Sequence, residues 1–239
     1  STNSHINSKT IHSSGNIVFD RFYDLKSTFD KSFYEKKYKF KPTTRIFLYC
    51  MLDPDRYEKE EEIILLISKK LKEKIDDFKI LVKKNPFDST EKNNKFFKND
   101  ESISVLEHFS QRDKEKDFFI QSNDGEKEWI DILNISNFVL GAASTVALES
   151  IMLKKPVFTI GFNKDGNKDE FLTRLSNIDF YKDLLNRDDI FLFTTVDELI
   201  NKINLDNDYN SNKNHLPKIL GKFDGKALNR VINIIKEEN

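Results

Sequence analysis

The chain is short of the residues that several kinds of chemistry require. It has one cysteine, Cys50, in 239 residues. That excludes an internal disulfide and a cysteine-built zinc site, and it favours a reducing compartment. Four histidines (His5, His12, His108, His215) are scattered without metal-ligand spacing, so none is expected to hold a metal. No apolar run approaches the about 20 residues that span a bilayer. The opening STNSHINSKT is polar and has no signal-peptide core. Neither sign of charge prevails: 39 Lys and Arg stand against 40 Asp and Glu, a net charge of −1, so the basic excess of a nucleic-acid surface is missing. There is no glycine-rich dinucleotide fingerprint, no P-loop and no arguable Ser-His-Asp set.

What is present is a globular composition, 38% hydrophobic and 33% charged, long enough for one large domain or two small ones. Residues 1–42 read as a polar tail, a short extended crossing piece and a helix over 22–38 with an apolar stripe of Phe22, Leu25, Phe29 and Phe33. Residues 43–239 then alternate. Apolar runs at 45–51, 79–83, 118–121, 137–140, 156–160 and 190–194 read as strands, and 103–109 fits a short strand or a helix. Helical periodicity occupies 57–78, 128–133, 145–153, 171–185, 196–203 and 224–238. In 57–78, Ile63, Ile64, Ile67 and Leu71 share a face, while the acidic start (Glu58, Glu60, Glu61, Glu62) and basic end suit the helix dipole. Trp129, Ile132 and Leu133 are expected to face inward, and Leu228, Val231, Ile232 and Ile235 make an apolar face on the last helix. The alternation predicts an α/β fold: a Rossmann-like parallel sheet of about five or six strands, with helices on both faces.

Ligands of such sheets sit outside the carboxyl ends of the strands. There the loops 52–56, 84–88, 122–128, 141–145 and 161–170 would gather, the last of them read as a mobile loop. The richest stretch is 138–160, FVLGAASTVALESIMLKKPVFTI. Gly141, Ala142 and Ala143 let backbone N–H groups approach a ligand, with Ser144 as N-cap. A turn that opens a helix suits an anion. Thr145 and Glu149 share a helix face, so hydroxyl and carboxylate could hold a phosphate and a sugar hydroxyl together. The plainer alternative is that Ser144 only caps and Glu149 points into water. Lys83 ends a strand, where it could meet a phosphate as a point charge or simply be solvated beside Lys84. Asp53-Pro54-Asp55 imitates an Asp-x-Asp metal motif but follows the first strand, and is not read as a metal site. Asp53 and Arg56 are cleft-lining candidates. The 121–125 loop could meet a nucleobase through its main chain.

SNFVLGAASTVALESIMLKKPVFTIGF resembles the signature of the carboxyl-terminal, donor-binding domain of GT-B glycosyltransferases. The flavour is that of bacterial surface-polysaccharide enzymes: capsule synthesis, polysialyltransferase-like and glycerophosphotransferase-like proteins. Non-hydrolysing UDP-GlcNAc 2-epimerases share the architecture. Three further pieces agree in order. Ser14-Gly15-Asn16-Ile17-Val18-Phe19-Asp20 is similar to the crossing between the two GT-B domains. Leu81-Val82-Lys83-Lys84-Asn85-Pro86 is similar to a "v-K-x-H-P" piece, with Asn85 where His is usual. Asp224-Gly225-Lys226-Ala227 is similar to the start of the last helix.

The resemblance implies a metal-independent glycosyltransferase that needs no cofactor and takes a UDP- or CMP/CDP-linked sugar as donor. Lys83, Asn85, Gly141, Ser144, Thr145 and Glu149 would bind that donor, Glu149 through the ribose. A glycan or glycolipid would accept the sugar. The catalytic base would lie on an amino-terminal GT-B domain outside this chain, so this half alone would be inactive. A cytoplasmic location follows, with the inner face of a membrane also open to the full protein. Two rivals stand beside this reading: an epimerase-like sugar-nucleotide enzyme, and a non-catalytic nucleotide-binding module.

Overall fold

A strand buried on both sides is built mainly of apolar residues, and three segments are of this kind. They are Arg45–Cys50 (β1), Phe78–Lys83 (β2) and Phe138–Gly141 (β6), nearly every residue of which is buried. The computed structural model describes residues 14–24, 30–57, 59–85, 96–106, 110–113, 118–121, 123–177, 179–185, 190–205 and 224–238. With Ile103–Val105 (β3), Val157–Ile160 (β7) and Ile190–Phe193 (β8), these strands form a six-stranded sheet in the order β3-β2-β1-β6-β7-β8. Every pair in it is parallel. The chain folds as two compact units, Ser27–Lys213 with this sheet, and Ser1–Lys26 together with Asn214–Asn239.

In the sheet-bearing unit, successive side chains of each strand go to opposite faces. Phe47, Tyr49, Ile80, Val82, Leu140, Phe158 and Ile160 pack with Ile63, Ile64, Ile67 and Leu71 of Glu60–Lys72 (α3) and with Leu199 and Ile203 of Val196–Leu205 (α8). Intervening positions such as Ile46, Leu48 and Val139 are equally buried on the other face. There Thr159 is hydrogen-bonded at 2.8 Å to Tyr181 of Asp179–Leu185 (α7). The Rossmann-like α/β architecture anticipated from the alternation is therefore present.

Several expectations need correction. The 57–78 helix is shorter, because the chain turns after Lys72 and Phe78 already belongs to β2. The 118–121 strand (β5, Phe118–Gln121) exists, but pairs antiparallel with Ser110–Asp113 (β4) outside the main sheet. The 128–133 helix is longer, Asn123–Ile135 (α4), so most of the expected 122–128 loop is helical. Over 22–38 there are two helices, Asp20–Asp24 (α1) and Lys31–Tyr38 (α2), on either side of residues outside the described set. Phe33 is exposed and Tyr34 and Tyr38 are buried instead, so the aromatic stripe is displaced by one position. Leu25 and Phe29 lie outside the described residues. Residues 171–185 form two helices, Glu170–Leu175 (α6) and α7.

In the other unit, the two outlying sequence pieces meet. The Asp20 carboxylate accepts from the backbone N–H groups of Ala227 (3.2 Å) and Leu228 (3.0 Å) at the start of Ala227–Glu238 (α9). Arg230 grips Asp224 through Nη1 at 2.7 and 2.9 Å and donates from Nε to the Ser14 carbonyl at 2.7 Å. Asp20 is thus a helix cap supplied from the far end of the chain. Asp20→Ala is expected to cost about 1–2 kcal/mol of helix stability, read as faster amide exchange at residues 227–230 with the sheet amides unchanged. The apolar face expected for this helix is present, but Leu228, Ile232 and Ile235 are exposed within this chain rather than buried. Among the described residues no helix is long and apolar enough to cross a membrane.

Candidate functional site

The strand order reverses between β1 and β6, both of which start from the middle of the sheet and lead to opposite sides. Chain segments leaving that point diverge and open a crevice at the carboxyl edge. Its floor is one row across three strands, for Cys50 is in register with Lys83 on β2 and with Gly141 on β6. All three project to the same face by strand alternation. Gly141 has φ +148, and a Cβ there would lie 2.5 Å from the Cys50 carbonyl oxygen. The two central strands come this close only because residue 141 has no side chain.

Above the row stands Trp129 of α4, almost wholly buried. Its indole N–H donates to Glu149 Oε2 at 2.7 Å, and the Lys83 ammonium sits 5.1 Å from the centre of its ring. Glu149 belongs to the short helix Val146–Met152 (α5) that follows the crevice turn. The structure thus gathers Lys83, Gly141 and Glu149, three of the residues singled out in the sequence, around a tryptophan that was expected only to fill the core. The signal for Trp129 was its N–H, since a buried indole needs an acceptor. Glu149 does not simply point into water, because that indole engages it.

Ser144 and Thr145 lie in the turn between β6 and α5, Ser144 half-buried and Thr145 exposed. Ser144 is not the N-cap: the cap position is Thr145, in helical conformation and without a side-chain capping bond. The backbone starts to coil one residue before the helix proper begins, which leaves the serine hydroxyl outside the capping geometry. Asn85 is half-buried just past β2. Pro86 of the same piece lies outside the described residues. Asp53 closes a turn on itself, accepting from the Asp55 N–H at 3.0 Å, and Arg56 is exposed. Of the nucleobase loop expected at 121–125, Gln121 belongs to β5 and residues 123–125 to α4, and residue 122 lies outside the described residues.

The 161–170 segment is a pinned hairpin rather than a mobile loop. Phe162 bridges Lys168, and the Asn163 side chain accepts from the N–H groups of Asp165 and Asn167. Tyr57 donates to Asp169 at 3.0 Å and stacks on Phe171 at 6.0 Å, which ties the loop after β1 to the one after β7.

Two buried ionisable groups flank the floor. Burial pushes the Cys50 thiol up to about 12, partly offset by Lys83 and reinforced by Glu149. It is therefore a thiol and not a nucleophile at neutral pH. On the other face Glu60 accepts from the Leu52 N–H at 2.7 Å and the Tyr49 hydroxyl at 3.1 Å. Burial pushes its carboxyl up to about 8, against the pull of those two bonds. Glu60 falls on the stripe of Ile63, Ile64, Ile67 and Leu71, so its burial was readable from the helical period but was taken for dipole charge. Among the described residues no three His, Cys, Asp or Glu side chains converge as a metal site would require.

No family model matches the sequence, and no curated protein does. Solved structures do. A UDP-GlcNAc 2-epimerase from Methanocaldococcus jannaschii, solved with UDP-GlcNAc and UDP, is 17% identical at a TM-score of 0.58; the match covers 97% of this chain and 56% of that one. S. aureus MnaA, solved with UDP, is 14% identical at a TM-score of 0.60, covering 98% and 55%. The wall teichoic acid polymerase TagF is 14% identical at a TM-score of 0.50, covering 98% and 52%. The chain thus spans a little more than half the length of these proteins, and what it shares with them is the Rossmann-like α/β architecture of the GT-B fold.

Proposed function

We propose that this chain is the nucleotide-sugar-binding part of a GT-B glycosyltransferase that takes a UDP- or CMP/CDP-linked donor and works without a metal. The observation that carries this reading is the convergence of Lys83, Trp129 and Glu149 over the Cys50–Gly141 floor, at the switch point of a parallel sheet. A cation over the face of one indole and a carboxylate at its N–H suit a ligand that is both phosphorylated and rich in hydroxyls. Lys83 meets the phosphates and Glu149 the ribose. Gly141 keeps the floor flat, and Ser144 and Thr145 offer hydroxyls from the turn. Asn85, Asp53 and Arg56 line the approaches. The reaction is displacement at the anomeric carbon with the nucleotide leaving, the base and the glycan or glycolipid acceptor being held by a partner domain. The fold likeness to proteins solved with UDP-GlcNAc, UDP and CDPG supports a sugar-nucleotide ligand.

Calorimetric titration with UDP, CDP, CMP, GDP and ADP tests this. Heat is expected from a pyrimidine nucleotide, with affinity ten- to a hundredfold weaker in Lys83→Ala and in Glu149→Ala, the loss of one charge-assisted contact each. Silence from all five overturns the reading. The epimerase likeness favours a second reading of the same site, distinguished by incubating the chain, with and without a complementary domain, with UDP-GlcNAc and looking for a changed sugar.

A further inference from the structure

Trp129 is the only tryptophan of the chain, and two features of its setting exceed what core packing requires. A buried indole N–H is satisfied by any backbone carbonyl. This one is bonded to a carboxylate, Glu149 Oε2, at 2.7 Å. The face of the same ring is covered by the Lys83 ammonium at 5.1 Å, an attraction that holds a flexible lysine over an aromatic quadrupole. Lys83 comes from β2 and Glu149 from α5, elements with β3, β4, β5, α4 and β6 between them in sequence. One ring therefore contacts both a cation and an anion brought in by elements far apart in sequence. The ring is itself anchored. Its helix, α4, is tied to α2 on both sides of Trp129, by Lys37 to Glu128 at 2.7 Å and by the Tyr34 hydroxyl to Asp131 at 3.0 Å.

We infer that Trp129 is a positioning residue for nucleotide binding: it aims the Glu149 carboxylate and the Lys83 ammonium at one ligand. This rests on the nucleotide reading given above. A carboxylate offers about four lone-pair sites, so a bond to the indole uses one and fixes the direction of the others. The Lys83 ammonium already sits over the ring, which lowers the ordering cost when a phosphate arrives. Without the ring, both groups remain but no longer point together.

The single indole N–H gives one isolated proton–nitrogen resonance, and it reads the pair directly. In the ligand-free chain Glu149→Ala is expected to move that resonance upfield, because a strong acceptor is lost. Titration of the parent with UDP or CDP is expected to move it saturably, with the midpoint found by calorimetry. Trp129→Phe keeps a ring face and deletes the N–H; it is expected to weaken nucleotide binding about tenfold. The double variant Trp129→Phe/Glu149→Ala should bind no worse than Glu149→Ala alone, since one interaction is removed twice. If Trp129→Phe does not fold, the parent and Glu149→Ala resonances still decide. Heat without movement of the indole resonance, or additive losses in the cycle, overturns the positioning role while leaving the nucleotide reading intact. Neither heat nor movement with any nucleotide overturns both.

Discussion

Gly141→Ala is expected to lose on the order of 3–5 kcal/mol of stability, the sum of a forbidden backbone conformation and an overpacked contact. At φ +148 an alanine is strained before any neighbour is considered. Its methyl would then stand 2.5 Å from the Cys50 carbonyl oxygen, with the Cys50 carbonyl carbon at 3.5 Å and nitrogen at 3.6 Å. All three are backbone atoms of a central strand, so no side chain can rotate away. Relief requires β1 and β6 to part at the very pair, Cys50 and Gly141, that forms the crevice floor. Gly166 and Gly225 differ in this respect. There the nearest atoms to an added Cβ are side-chain atoms of Val196 and Tyr23 rather than the backbone of a central strand. Chemical denaturation of Gly141→Ala beside Gly166→Ala checks this: the first should lose clearly more, and equal losses would refute the close-approach argument.

Glu60 should make the chain less stable as the pH rises from 4.5 to 8. An unfolded glutamate titrates near 4.5, while the buried one is held up at about 8. Between those values the folded chain keeps a proton that the unfolded chain releases. Stability from this group is full below the lower value, declines through the window and is flat above it. The decline is on the order of 5 kcal/mol, from about 1.4 per pH unit across that window. Glu60→Gln has the shape of the protonated acid and can still pair with the Leu52 N–H and the Tyr49 hydroxyl. The variant should match the parent near pH 5 and exceed it above pH 8. Other titrating groups cancel when the two unfolding curves are subtracted. Parallel curves across the window would show that the carboxyl is not held neutral by its burial.

The sheet was legible because a central parallel strand is built on a continuous apolar run, as in the IFLYC of β1 and the ILV of β2, and such runs are bounded here by Pro, Asp and Asn. Strand partners are another matter. Phe118–Gln121 reads as a strand from its own residues, but nothing local says that it joins β4 instead of the sheet. The exposed Phe33 and the exposed apolar face of α9 misled for a common reason. Periodicity shows that a helix has a face, not what covers it. At the site, Lys83, Gly141 and Glu149 were each visible from strand ends, small-residue turns and helical spacing. Their link through Trp129 was not, because it is made by three residues on three elements. Ser144 was misjudged as a cap because capping depends on the residue at which coiling starts, and a run of small residues does not mark that point to within one position.

The lone thiol under the crevice has a use of its own. Cys50 is the buried middle member of the row it shares with Lys83 and Gly141, and its proton is held up to about 12. A disulfide reagent in neutral solution meets neither an accessible sulfur nor a thiolate while the strands stay closed. The rate at which such a reagent is consumed therefore counts openings of the floor, with no label to attach and no competing sulfhydryl to subtract. The molecule carries its own stopwatch for the parting of its central strands.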